Sequence, residues 1–178
     1  AYFGDGAANQ GQVYEAFNMA SLWDLPVVYV IENNMYAMGT SVARHASETE
    51  LYKRGISFEI EGEEVDGMDV MAVREAGEKA VKYARSGKGP YILEMKTYRY
   101  RGHSMSDPAK YRKREEVDDI RSHHDPIEGL KGQLLELGHA SEDELKNIDK
   151  EAADYSLESP EPDPSELWTD VLKDVEVA

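Results

Sequence analysis

The chain has no cysteine, little positive charge and no long hydrophobic run, and each of these features excludes some classes of function. Without cysteine it has no disulfide framework, no cysteine-ligated zinc site and no thiol nucleophile. No apolar run approaches the ~20 residues that a membrane-spanning helix requires. Because 36 acidic residues outnumber 20 basic ones, the net charge of −16 disfavours binding to nucleic acid or anionic membranes. We therefore expect proteins and small molecules as partners, with no nucleic acid and no membrane.

The length of 178 residues suits one domain, and the apolar fraction of 40% can supply a core of ordinary size. The chain begins with Ala1-Tyr2-Phe3, without an initiating methionine, in a pattern typical of a strand already under way. We therefore expect the chain to be a fragment of a longer protein.

The first hundred residues alternate between helix and strand patterns. Apolar residues recur at helical spacing over residues 9–23, and residues 26–31 form a β-branched run typical of a buried parallel strand. A longer helix follows the cap residue Asp69, and residues 91–97 are typical of a further strand. This alternation predicts an α/β fold with a partial doubly wound parallel sheet, in which ligands bind beyond the carboxyl ends of the strands.

Three details of this region are also predicted. Ser47 to Glu50 form a capping-box pattern, which is expected to open a short helix that ends near Gly55. The acidic stretch from Glu59 to Asp69 lacks the spacing of a calcium loop, and a solvated turn is the expected structure. The helix after Asp69 is expected to place one set of apolar residues on a shared face, namely Val70, Val73, Gly77, Val81 and Ala84.

The pattern changes after residue 97. Residues 98–114 form a long polar and basic loop, and long loops in compact domains are often functional. The remaining residues are acidic and helical, with a capping box that begins at Ser141 and a last helix capped by Asp163. We therefore divide the chain into the C-terminal part of an α/β domain, residues 1–114, and an acidic C-terminal helical extension of that domain, residues 115–178. The apolar residues predicted for the last helix are Leu167, Trp168, Val171 and Leu172.

Two short motifs stand where the first two strands are predicted to end. Gly4-Asp5-Gly6 follows the first strand, and Asn33-Asn34 follows the second. The helix that begins after Gly6 directs free N–H groups and a positive dipole end toward an anion above the strand. Magnesium is commonly held by one or two protein oxygens together with phosphate oxygens and water. Asp5 and Asn34 therefore predict a site for magnesium and a diphosphate, with Asn33 bracing the turn.

These motifs resemble the cofactor motif of thiamin-diphosphate-dependent enzymes, in which Gly-Asp-Gly and Asn-Asn occur at this spacing. Longer segments within residues 4–11, 32–41 and 98–108 are similar to the alpha subunits of the decarboxylating component of the pyruvate dehydrogenase complex. The similarity covers nearly all of residues 1–126. It implies thiamin diphosphate and magnesium as cofactors.

The resemblance also implies roles for particular residues. The magnesium ligands would be Asp5, the side chain of Asn34 and the backbone carbonyl of Tyr36, while Gly6 and Ala7 would contact the diphosphate. Three protein oxygens, two diphosphate oxygens and one water would complete the six ligands that magnesium prefers.

His103 is the catalytic residue that the resemblance implies. In the family, the equivalent histidine of the basic loop reaches the cofactor. A group that titrates near neutral pH can stabilise the diphosphate or donate a proton as the acetyl group passes to a lipoyl group.

The activity implied by the resemblance is that of an oxidoreductase acting on a 2-oxo acid, pyruvate. The implied partners are a beta subunit of the same component and the lipoyl-bearing acetyltransferase component. Because the beta subunit of this family supplies the glutamate that activates the cofactor, we expect the present chain alone to be inactive. The absence of cysteine, and a basic loop that differs from that of the mitochondrial members of the family, favour a bacterial, cytoplasmic protein over one of the mitochondrial matrix.

Two alternatives remain open. The alpha subunit of a branched-chain 2-oxo acid or acetoin dehydrogenase would share the cofactor motif, although the sequence of residues 98–108 favours pyruvate. A non-catalytic assembly or dimerisation module, with an empty cofactor site, would instead use the apolar helices to bind a partner.

Overall fold

The structure is a computed structural model that describes residues 1–168, so the predicted apolar residues Val171 and Leu172 lie outside the described residues. Its strands are β1 (Tyr2–Gly4), β2 (Val28–Asn33), β3 (Tyr36–Ala37), β4 (Thr40–Ser41), β5 (Glu61–Asp66) and β6 (Tyr91–Lys96). Its α-helices are α1 (Gly11–Leu22), α2 (Val42–His45), α3 (Val70–Arg85), α4 (Arg114–His123), α5 (Pro126–Glu136) and α6 (Glu142–Glu158). Short 3₁₀ helices span Ala7–Asn9, Leu51–Phe58 and Pro164–Trp168.

The main sheet is parallel, and its strand order is β1-β2-β6-β5. Gly4 in β1 lies beside Glu32 in β2, and Glu32 lies beside Met95 in β6. Strands β3 and β4 form a separate antiparallel hairpin directly after β2. The predicted α/β class with a parallel sheet is confirmed.

Two apolar cores cover opposite faces of this sheet. On one face, Phe17 and Ala20 of α1 pack with Tyr29 and Ile31 of β2. The ring centroids of Phe17 and Tyr29 are 4.7 Å apart in an edge-on arrangement. Because side chains alternate along a strand, Val30 faces the other core, which α3 covers.

Helix α3 begins at the predicted cap, where the Asp69 carboxylate accepts hydrogen bonds from two N–H groups of the first turn. Its buried face matches the predicted one only in part, since Ala84 is buried and Val73 packs against the core, whereas Val70 and Val81 are exposed. Val73 and Val81 also line a groove beside the helix. Small side chains allow the helix to lie close to the sheet. The buried residues of α3 are Ala76, Ala80 and Ala84.

The acidic stretch predicted as a solvated turn contains strand β5, so this prediction is wrong. The Glu63 carboxylate accepts a hydrogen bond from the Tyr91 hydroxyl at 2.9 Å and lies 2.9 Å from Lys79 Nζ. The Glu64 carboxylate lies 3.3 Å from Lys96 Nζ. Positive charges on α3 and β6 therefore offset these two acidic side chains in the paired strand.

The prediction of a capping box at Ser47 is also wrong. The 3₁₀ helix begins after Glu50, whose side chain makes no capping hydrogen bond. The N–H of Tyr52 instead donates to the Glu94 carboxylate in β6, at 3.0 Å. A contact from the neighbouring strand thus replaces the expected local cap.

The described residues divide into two compact units, one over residues 1–132 and the other from residue 133 onward. In the second unit, α6 has its predicted capping box, since the Ser141 hydroxyl accepts from the N–H of Glu144 and the Glu144 carboxylate accepts from the N–H of Ser141. The proposed domain boundary at residue 114 stays a prediction. In the part of the chain that the structure describes, no helix is long and apolar enough to cross a membrane.

The core between α1 and the sheet generates a stability prediction. Phe17→Ala removes a fully buried ring and should lower the free energy of unfolding by ~3–5 kcal/mol, because the cavity cannot collapse completely. Trp23→Ala is the matched control, since Trp23 is 57% exposed. Urea denaturation followed by circular dichroism measures both changes. Equal losses for the two variants would contradict the assigned core.

Candidate functional site

The candidate site begins where two adjacent parallel strands end. Asp5 follows β1, and Asn34 follows β2, whose last residue is Asn33. Because Gly4 pairs with Glu32, the two strands end at nearly the same level of the sheet. The sheet therefore brings both predicted ligands to the same edge. Asp5 is 2% exposed, and a carboxylate that is buried in this way requires compensating partners.

The turn after β2 presents Asn34 and is held by Asn33. The Asn33 side-chain oxygen accepts a hydrogen bond from the N–H of Met35 at 2.9 Å, which closes the turn around Asn34. Met35 has a φ of 72°, in the left-handed region. The Asn34 side-chain oxygen Oδ1 is buried and has no hydrogen-bond partner among the described residues. Because a buried polar atom normally has a partner, this oxygen fits a metal ligand.

A buried carboxylate lies beneath this turn. Glu94, in the middle of β6, is fully buried, and its Oε1 accepts a hydrogen bond from the Asn33 amide at 2.6 Å. Its Oε2 accepts from the N–H of Tyr52, and Lys96 Nζ lies 2.8 Å from Oε1. One acid therefore fixes the turn that presents Asn34. The sequence does not mark Glu94 as a residue of this site, because a single acid in an apolar strand does not reveal its partners.

The β3–β4 hairpin carries the third predicted ligand, the carbonyl of Tyr36, and packs against the turn at Gly6. A Cβ added to Gly6 would lie 2.7 Å from the Cβ of Ala37, so glycine is required for this close approach. Immediately after Gly6, Ala7 opens the 3₁₀ helix that leads into α1. Gly6 and Ala7 therefore lie at the start of a helical segment, where backbone N–H groups suit an anion.

The basic loop is tied to this hairpin by two arginines. Arg99 donates to the carbonyl of Met38 at 2.7 Å and, at a longer 3.5 Å, to that of Tyr36. Arg112 donates to the carbonyl of Asn34 at 2.6 Å, and its guanidinium lies 4.7 Å from the centre of the Tyr36 ring. Both arginines thus bind backbone and aromatic groups of the candidate site.

His103 lies in the same loop, and its side chain is exposed. Arg99 Nη1 lies 3.3 Å from His103 Nδ1, and the same Nη1 is the donor to the Tyr36 carbonyl. Since arginine can only donate, Nδ1 accepts and the neutral ring carries its proton on Nε2. The structure therefore connects His103 to the hairpin through Arg99, without direct contact to Asp5 or Asn34.

Asp107 organises the loop around His103. Its carboxylate accepts hydrogen bonds from the N–H of His103 at 2.8 Å, the Tyr111 hydroxyl at 2.7 Å and the N–H of Ala109 at 2.9 Å. These three donors lower the pKa of Asp107 to about 2. The Tyr111 hydroxyl also accepts from Arg99, so the loop and the hairpin share one network.

An open apolar groove of about 820 Å³ adjoins the site on the α3 face of the sheet. At the end nearest the site, it is lined by Asn34, Thr97, Tyr98 and Arg99. Along its length it is lined by Val28, Val30, Leu93, Val73 and Val81. The groove gives the Asn34 turn an approach from the α3 face of the sheet.

The chain belongs to the dehydrogenase E1 component family, whose family model matches residues 1–159. It is 64% identical to the pyruvate dehydrogenase E1 component subunit alpha of Rhizobium meliloti (strain 1021), over 97% of this chain and 51% of that protein. The protein of the same name from Zymomonas mobilis is 58% identical, over 97% of this chain and 50% of its own length.

A mammalian protein is similar as well. The somatic, mitochondrial form of the pyruvate dehydrogenase E1 component subunit alpha from Sus scrofa is 54% identical, over 93% of this chain and 44% of its own length. The chain thus spans about half the length of the curated relatives it matches. These findings confirm the resemblance that the motifs indicated.

The Asp107 network generates a prediction for the loop. Asp107→Asn replaces one acceptor oxygen with an NH₂ group that faces N–H or O–H donors, so the amides of His103 and Ala109 should exchange with deuterium several-fold faster at pH 7. Because the pKa of Asp107 is lowered in the folded chain, its contribution is present above pH ~4 and is lost as the pH falls through about 2.

Hydrogen exchange with mass-spectrometric detection measures this change. Asp118→Asn is the control, because Asp118 lies on the exposed surface of α4 and has a long contact of 3.9 Å with Arg114. Equal exchange in the Asp107 variant and the unaltered protein would contradict the assigned network.

Proposed function

We propose that this chain is part of the alpha subunit of a pyruvate dehydrogenase (acetyl-transferring). The observation that carries the proposal is the placement of a buried Asp5 carboxylate and a buried, unpartnered Asn34 oxygen just beyond the ends of two adjacent parallel strands. The names of the relatives favour pyruvate as the substrate over a branched-chain 2-oxo acid or acetoin. In this function, thiamin diphosphate supplies the carbanion and the electron sink that decarboxylation of a 2-oxo acid requires.

The proposed metal is magnesium, held by the Asp5 carboxylate, Asn34 Oδ1 and the Tyr36 carbonyl. All three are oxygen donors, which is the ligand class that magnesium prefers, and they leave positions for phosphate oxygens and water. An amide ligand adds no negative charge, so the site does not further repel an anionic diphosphate. A divalent cation would also give the buried Asp5 a counter-charge and Asn34 Oδ1 its missing partner.

The proposed diphosphate site lies at Gly6 and Ala7. Their position at the start of the helical segment before α1 suits backbone N–H donation to phosphate oxygens. The close contact between Gly6 and Ala37 holds this turn against the Tyr36 hairpin. Metal and phosphate would therefore be bound by one contiguous set of turns.

His103 is proposed as the catalytic residue of this chain. Its Nδ1 accepts from Arg99, which leaves Nε2 as the proton-carrying atom that can donate to a phosphate oxygen or to a reacting group. Asp107 holds the backbone of His103 and so restricts where the ring can lie. The contribution of His103 is to stabilise the diphosphate or to move a proton as acetyl passes to the lipoyl group.

The proposed partners follow from the same family assignment. A beta subunit would bind the remaining part of the cofactor and supply the activating glutamate, and a lipoyl-bearing acetyltransferase component would accept the acetyl group. The relatives from Rhizobium meliloti and Sus scrofa are both alpha subunits by name, which supports a beta subunit as partner, and the Sus scrofa protein is mitochondrial by name. We propose the cytoplasm for a bacterial source and the mitochondrial matrix for a eukaryotic one.

Substitution of the two proposed ligands tests this function. Asp5→Asn and Asn34→Ala, each in the full-length protein assembled with its beta subunit, should weaken magnesium-dependent binding of thiamin diphosphate by roughly 100-fold or more. Loss of an outer-shell group already costs ~10–100-fold, and these residues are proposed to bind the metal directly. Titration calorimetry measures the affinity.

The control is Asn147→Ala, which removes an exposed amide on α6. It should leave cofactor affinity unchanged. If both ligand variants fold and bind thiamin diphosphate with unaltered magnesium dependence, the proposed site is wrong.

A further inference from the structure

His45 occupies a position beside the candidate metal site that the sequence did not single out. It is the last residue of α2, a single helical turn that follows the β3–β4 hairpin. Val42, at the start of α2, is fully buried, and its N–H donates to the carbonyl of Met35 at 3.0 Å. The helix is therefore anchored to the turn that carries Asn34. The His45 side chain is 15% exposed and points toward Asp5.

Both ring nitrogens of His45 contact residues of the Gly4-Asp5-Gly6 region. Nε2 lies 3.4 Å from Asp5 Oδ2, and Nδ1 lies 2.8 Å from Asn9 Nδ2. Asn9 ends the short 3₁₀ helix that begins directly after Gly6, so its position is fixed relative to Asp5. The Asn9 amide, the His45 imidazole and the Asp5 carboxylate thus form a continuous chain of polar contacts.

The direction of hydrogen-bond donation along this chain of contacts follows from which atoms can donate and which can only accept. An ionised carboxylate can only accept, so the His45 nitrogen that faces Asp5 must carry a proton. The Asn9 amide nitrogen can only donate, and His45 Nδ1 is then the acceptor. Both contacts are satisfied by the neutral Nε2–H form of the ring. Asn9 therefore selects the form of His45 that donates to Asp5.

We propose that Asn9 and His45 are positioning residues that orient the Asp5 carboxylate toward a divalent cation. The inference deepens the proposed function and rests on it. The contact with His45 engages Oδ2 and leaves Oδ1 for the metal. Carboxylates that bind metals are commonly held by such outer hydrogen bonds, whose loss typically costs ~10–100-fold in metal affinity. A neutral N–H donor provides this hold without placing a second positive charge beside the cation.

The test uses the full-length native assembly with thiamin diphosphate and Mn²⁺ as the probe, because free and bound Mn²⁺ are distinguished by electron paramagnetic resonance. His45→Phe keeps a ring but removes both nitrogens, and it should weaken Mn²⁺ binding ~10-fold. His45→Gln retains an N–H donor and should recover part of that loss. The KM for magnesium should rise in His45→Phe, while kcat at saturating magnesium changes little.

A double-mutant cycle separates this role from a purely structural one. Asn9→Ala should also weaken Mn²⁺ binding, and the double variant with His45→Phe should bind no more weakly than His45→Phe alone, because both act through one contact. If His45→Phe does not fold, Asn9→Ala and His45→Gln still decide the question. His124→Ala, which removes an exposed histidine, is the matched control.

Asp5→Asn, measured in parallel, distinguishes the two possible failures. If Asp5→Asn weakens Mn²⁺ binding but the folded Asn9 and His45 variants do not, the positioning role is overturned and the proposed function stands. If Asp5→Asn also leaves Mn²⁺ binding unchanged, both proposals fall. Additive losses from Asn9→Ala and His45→Phe would likewise overturn the positioning role.

Discussion

The parallel pairing of β1 with β2 is the constraint on which the rest of the site depends. With Gly4 beside Glu32, the residues that follow each strand emerge at one edge of the sheet. A shift of one residue in this register would turn the side chains after one strand to the opposite face. The position of the Asp5 carboxylate relative to the Asn34 turn is therefore set by backbone pairing and by the core that α1 covers.

Beyond the strand ends, the backbone is irregular and is held by polar contacts. The Glu94 carboxylate accepts a hydrogen bond from the Asn33 side chain. Arg112, in the basic loop, donates to the carbonyl of Asn34. Arg99 links the hairpin to His103. Such networks rigidify a site when their members are satisfied. Three buried side-chain atoms here have no hydrogen-bond partner among the described residues, namely Asn34 Oδ1, Arg99 Nε and Arg112 Nε. Asn34 Oδ1 is the acceptor among them, so it is the atom that fits a cation.

The sequence predicted the regular elements, and the position of the two motifs at strand ends, more successfully than tertiary polar contacts. The helical and strand spacing of apolar residues located α1, β2 and β6 to within a few residues. This spacing is informative because it reflects directly which side chains of an element are buried. The same reasoning missed β5, in which two of the acids, Glu63 and Glu64, pair with Lys79 and Lys96 from other elements. It also missed the contact of His45 with Asp5, since 40 residues separate the partners along the chain.

The central claim is that Asp5 and Asn34 bind one divalent cation together with the diphosphate of the cofactor. Anomalous diffraction at the manganese edge, from crystals of the full-length assembly with thiamin diphosphate and Mn²⁺, tests it most directly. The account predicts an anomalous peak within ~2.5 Å of both the Asp5 carboxylate and Asn34 Oδ1. Cofactor bound with its manganese held by other groups, or with no peak between these two residues, would contradict it.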